Sequence, residues 1–181
     1  MESETSRKRQ QIIETLESKS TVKRNTYIRT FDLFQELKNI LHELSGEIND
    51  ILTIQREVKT EYRDRGKFEA QLQVAGDILI FNMHTNVFRF PPEHPVWQTE
   101  YVKRDYRNAY FGVINVFNFL ADSFKYNRSN DEGYLIGRIF VNHEGYFFVE
   151  GKDMEAYGAE HFGEQRFQEE AIIEVVESLI L

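Results

Sequence analysis

Residues 91–95, Pro91-Pro92-Glu93-His94-Pro95, hold all three prolines of this 181-residue chain. Three prolines in five positions forbid a helix or a central strand, so the segment is a stiff loop. Around it stand His84, Asn86, Arg89, His94 and Trp97. A guanidinium offers a fixed fork of donors to an anion, and an indole offers a flat apolar face. Together they suit a pocket for a planar or anionic small molecule, with His84, Arg89, His94 and Trp97 as ligand-binding candidates. The alternative is a proline-stiffened connection that covers a sheet. His84 and His94 lack a third donor at zinc-like spacing, so no metal site is expected. A second constellation is Asn115, Asn118 and Asp122. If residues 110–124 are helical, their spacing of three and then four puts them on one face. Buried there, each would need a partner from a ligand or a second chain; exposed, they are the solvated side of an amphipathic helix.

A third pattern is Glu150-Gly151-Lys152 at the end of an apolar run. A Glu-x-Lys pair on a strand resembles the site of restriction-type nucleases, where carboxylates hold Mg²⁺ and the Lys assists the attacking water. Asp131 or Asp77 would have to complete the metal site. The same pair arises readily by chance in a chain with 29% charged residues. Phosphate loops, dinucleotide-binding Gly-x-Gly-x-x-Gly and the Gly-x-Ser-x-Gly elbow are absent.

Composition narrows the classes further. With no cysteine, disulfide scaffolds, thiolate metal sites and Cys nucleophiles are excluded. A net charge of −8 opposes broad electrostatic binding to nucleic acid. Its distribution is uneven, with seven Lys/Arg against four Glu in residues 1–30 and twelve acids against three bases in 129–181. The basic arm is either a solvated helix start or a contact for an acidic partner. No apolar stretch suits a secretory signal or a membrane span, so a cytoplasmic location without membrane partners is expected. Aromatic residues reach 14%, which points to a core or pocket walled by rings.

The elements that must position these residues begin with residues 1–60, which contain no Pro and only Gly46. This segment reads as two helices: a short one over about 6–19, a weak break at Ser18-Lys19-Ser20-Thr21, then a long one capped by Asn25 or Thr26. Phe34, Leu37, Leu41, Leu44, Ile48 and Ile51 recur every three and four residues, a coiled-coil-like seam. Val58 extends it and Gln55 interrupts it. Paired between two chains, the six residues form a homodimer interface; folded back, they pack within one chain. Residues 67–75 and 78–83 read as a hairpin, with 87–90 as a further strand. Residues 110–124 read as a helix on their spacing of apolar positions. Residues 134–142 and 146–151 form a second hairpin, and 163–181 a closing helix.

The expected fold is therefore α+β: a mostly antiparallel sheet flanked by helices in 61–181, preceded by a long helical segment. On element order alone this is similar to the small sensor and adaptor folds of the GAF, PAS and profilin-like type. The expected function is non-enzymatic: a sensory module that binds a small molecule or peptide and self-associates through the long helix. The cofactor is left open. The alternatives are an adaptor working by protein–protein contacts alone, and a metal-dependent nuclease built on Glu150 and Lys152.

Overall fold

The computed structural model describes residues 4–52 and 59–181. The proposed extension of the seam through Gln55 and Val58 lies outside them. The fold is α+β, a long N-terminal helix followed by one six-stranded antiparallel sheet. Helix α1 is Glu4–Ile51, and the strands are β1 Thr60–Asp64, β2 Glu69–Val74, β3 Asp77–Met83, β4 Gly112–Leu120, β5 Tyr134–Val141 and β6 Phe147–Gly151. Sheet order equals chain order, a plain meander. Short helices α2 Glu100–Arg104 and α3 Ala121–Lys125 lie in the connections, and α4 Glu169–Ile180 follows the sheet.

Helix α1 runs unbroken for 48 residues, about 72 Å, through the Ser18–Thr21 stretch where a break was expected. Hydroxyl side chains there turn back onto their own helix instead of capping a new one. Ser18 donates to the Thr15 carbonyl, Thr26 to that of Val22 and Thr30 to that of Thr26. Every residue from 5 to 21 is exposed, so the first half projects beyond the sheet.

The second half lies across one sheet face. Phe34, Leu37 and Leu41 are fully buried there, with Leu33, Ile40 and Leu44 beside them. They share one core with Leu72, Phe81, Ile114, Val116, Ile139 and Val149 from the sheet, and with Ile172, Val175 and Val176 of α4. Phe34, Leu37, Leu41 and Leu44 of the seam thus pack against the chain's own sheet, and one core includes residues on both sides of position 60. Ile48 is half-buried and Ile51 is 79% exposed, where the helix runs off the sheet. Close approach is possible because Gly112 has no side chain: a Cβ would sit 2.1 Å from Thr30 Oγ1. Buried Lys38 anchors the first hairpin by donating to Asp64 Oδ1 at 2.9 Å and to the Gly66 carbonyl. The Gly66 N–H and the Lys38 ammonium together hold the Asp64 carboxyl below its ordinary range.

Residues 110–124 are the main correction. They form β4 and the five-residue α3, not one helix. Both faces of β4 carry apolar side chains, and its first three residues are buried whichever way they point, so the alternation that marks a strand is lost. Ile114 and Val116 enter the helix-side core, while Val113, next to Phe111, enters a second core on the opposite face. Residues 87–90 are not a strand either; Phe88 makes one isolated bridge to Phe111.

Candidate functional site

The two sheet faces differ. One is covered by α1 and α4. On the other, the register sets the side chains out in rows across the strands. Val113, Phe140 and Phe148 form one row and lie under the crossover of residues 84–111, which adds Val96, Val102, Ala109 and Phe111. Two residues further along each strand comes a polar row. Glu69 of β2 faces Asn82 of β3, Asn82 faces Asn115 of β4, Asn115 faces Arg138 of β5, and Arg138 faces Glu150 of β6. The next row is Gln71, Ile80 and Phe117. The polar row therefore lies between the crossover and a second, mixed row, beyond which Phe124 of α3 meets Phe119 edge to face; the strip between these two covers is the trough.

Most of these polar groups are engaged. Arg65 donates to Glu69 Oε1 at 2.5 Å and to Gln71 Oε1 at 2.9 Å. Arg138 Nε lies 3.7 Å from Glu150 Oε2. His94 Nε2 lies 3.3 Å from Glu150 Oε1, and its Nδ1 accepts from the Val96 N–H. That acceptance makes Nε2 the protonated nitrogen, donating to Glu150. The ring also stacks on Phe90, with centroids 3.8 Å apart. Asn82 and Asn115 differ: both are half-buried, and neither amide has a side-chain hydrogen bond among the described residues. Two facing amides present donors and acceptors to whatever enters the trough. At the far end of this face a cavity of about 680 Å³ is lined by Arg63, Arg65, Gln71, Gln73, Asp122 and Phe124, among others.

Of the sequence candidates, His94, Asn115 and Asp122 come to this face. Asn118 does not. Its position opposite Leu79 puts it on the helix side, where its Oδ1 is buried without a partner. Arg89 and Trp97 do meet, with the guanidinium 5.1 Å from the indole ring and 4.8 Å from the Tyr110 ring. The indole N–H donates to the carbonyls of Phe90 and Pro91, so Trp97 fastens the proline loop while Arg89 covers its ring. His84 closes its own turn by accepting from the Asn86 N–H. Glu150, Lys152 and Asp131 share no partner: Lys152 is 93% exposed beside Asp153, and Asp131 accepts from Ser123. Among the described residues no three His, Asp or Glu side chains gather as metal ligands, and no helix is long and apolar enough to cross a membrane.

Sequence reasoning missed Asn82, Arg138, Glu69 and the buried hub Asn142. Asn142 donates to the Tyr101 hydroxyl and the Asn108 carbonyl and accepts from the N–H groups of Glu144 and Tyr146, tying the crossover to the last hairpin. Burial, together with the bond to Glu144, pushes the Tyr101 hydroxyl well above its ordinary value. The row itself was encoded in strand register, which no residue motif reveals.

No protein-family model matches the chain, and no curated protein or solved structure is significantly similar to it. The topological likeness to GAF, PAS and profilin-like folds thus gains no support from a solved neighbour.

Proposed function

We propose that this protein is a non-enzymatic binding module that takes a small polar ligand or a short peptide in the trough of its open sheet face. The observation that carries this reading is the facing pair Asn82 and Asn115, half-buried and without side-chain partners. Both amides remain open to solvent, so a ligand bond replaces a bond to water and is worth about 0.5–1.5 kcal/mol at each. Binding rather than catalysis is favoured because the charged neighbours neutralise one another. Glu150 is held by His94 and Arg138, and both nitrogens of His94 are already engaged, leaving neither free to move a substrate proton.

The test is native followed by denaturing mass spectrometry of the protein as purified from cells. The expected result is added mass on the native protein that vanishes on denaturation. In an Asn82→Ala/Asn115→Ala double variant that mass should be lost, while the melting temperature stays within about 2 °C, as expected for partly exposed positions. Added mass that survives in the double variant would sink this placement.

A second reading, protein–protein interaction through the projecting helix, is favoured by one observation. Ile12, Ile13 and Leu16 are 56%, 47% and 59% exposed on the free half of α1. An apolar stripe on a projecting helix suits a second copy of the chain or an adaptor partner.

A further inference from the structure

The free half of α1 overhangs the crossover, and between them lies a cleft of about 640 Å³ lined by Ser18 of α1 and by Trp97, Val102, Lys103, Arg104, Asp105, Tyr106 and Arg107. Its charge runs against that of the molecule. Three cations and one carboxylate line it, in a chain of net charge −8. The cations are not equally committed. Arg107 is tied to Asp105 through Nε and Nη2, an arrangement that also holds the Asp105 carboxyl below its ordinary range. Lys103 reaches Glu100 at 3.3 Å. Arg104 uses only its Nε, on the Glu100 carbonyl at 3.4 Å, and has no carboxylate partner among the described residues. Its terminal nitrogens are an open fork, the geometry that suits the oxygens of a phosphate. Beside it stand two ring systems, Trp97 and Tyr106, the latter 54% exposed; Arg89 lies against both, 5.1 Å and 6.0 Å from their centroids, so a ligand ring would take the faces turned away from Arg89.

An unpaired guanidinium, a second cation and two aromatic rings in one cleft recognise an anion joined to a flat ring. We infer that this cleft is a second binding site, independent of the sheet trough, for a nucleotide-type ligand. Arg104 and Lys103 would take the phosphate, and Trp97 and Tyr106 the base.

Trp97 is the only tryptophan of the chain, so its fluorescence reports on the cleft without labelling. Titration with AMP, with inorganic phosphate and with adenosine separates the two halves of the ligand. The expected result is saturable quenching by AMP, competition by phosphate and little effect of adenosine alone. Loss of a charged hydrogen bond weakens binding about 10- to 100-fold, so Arg104→Gln should move the AMP midpoint by that factor. Lys103→Gln should shift it less, since that ammonium already has a partner. Circular dichroism should stay unchanged for both exposed substitutions. No saturable change with AMP up to about 10 mM, a range that covers even millimolar affinity, overturns the proposal. So does an AMP midpoint unmoved by Arg104→Gln. Equal quenching by adenosine and AMP would overturn the phosphate assignment, and with it the role of Arg104.

Discussion

Truncating Leu41 tests whether the apolar seam of α1 packs inside one chain. The side chain is fully buried, among Phe34, Leu37 and the sheet residues of the same core. Leu41→Ala removes about three carbons, roughly 2.4 kcal/mol of transfer free energy at ~0.8 kcal/mol each. The hole is walled by a helix on one side and a hydrogen-bonded sheet on the other, which cannot close over it freely. The cavity contribution therefore brings the expected loss to about 3–5 kcal/mol. For a domain of this size each kcal/mol moves the melting temperature by about 2–4 °C, so the midpoint should fall by about 6–20 °C. Differential scanning calorimetry at two protein concentrations tenfold apart gives the answer. An internal seam predicts the same fall at both concentrations. A seam between chains makes the parent's midpoint rise with concentration. A concentration-dependent midpoint, or a loss below about 1 kcal/mol, refutes the packing argument.

Other substitutions probe other joints. Gly112→Ala should destabilise by about 1–3 kcal/mol, because the new methyl meets Thr30; Thr30→Gly should recover part of that loss, measurable as non-additivity in urea denaturation. Asn118→Leu should be neutral or raise stability by about 1 kcal/mol, since it replaces a buried acceptor that has no partner; a marked loss would mean that Asn118 has a partner in solution. The lowered carboxyls of Asp64, Glu61 and Asp105 stabilise the fold above their ordinary range, and that contribution disappears as pH falls through their folded values. The urea midpoint should therefore drop between about pH 5 and about pH 3, less steeply in Asp64→Asn; an identical slope in the variant would remove Asp64 from the account. Leu16→Asp should leave the melting temperature unchanged and abolish any self-association seen by sedimentation; persistence of the oligomer would exclude the exposed stripe as its cause.

The two hairpins were legible because their signals are local. Residues 67–75 and 78–83 became β2 and β3, and 134–142 and 146–151 became β5 and β6, each bounded by turn residues. Gly145, at a φ of +83°, marks the second turn. The closing helix was legible from Ile172, Val175 and Val176, though it starts only at Glu169. Strand β1 was missed because Thr60–Asp64 is a charged edge strand, and charge is how an edge avoids pairing with another chain. β4 was misread because apolar residues on both faces of the strand mimic a helical period. Its Val113, Ile114, Val116, Phe117 and Phe119 carried the opposite signal, β-branched and aromatic content. The candidate site suffered most from that error. Asn115 and Asn118 share a face at helical spacing and take opposite faces of a strand, so one went to the trough and the other to the helix side, where it is half-buried at the edge of a cavity.

The meander also has a consequence for synthesis. Helix α1 leaves the ribosome before the sheet, with Phe34, Leu37 and Leu41 uncovered. Each later strand pairs only with the one made just before it, so the sheet can grow against the helix in the order of translation. The helix-side core is not complete until α4 has emerged. At 5–20 residues per second that interval is on the order of ten seconds, during which the apolar face of the helix is exposed to solvent. A nascent chain halted before β4 should therefore be captured by chaperones that hold apolar helices, and one halted after α4 should not.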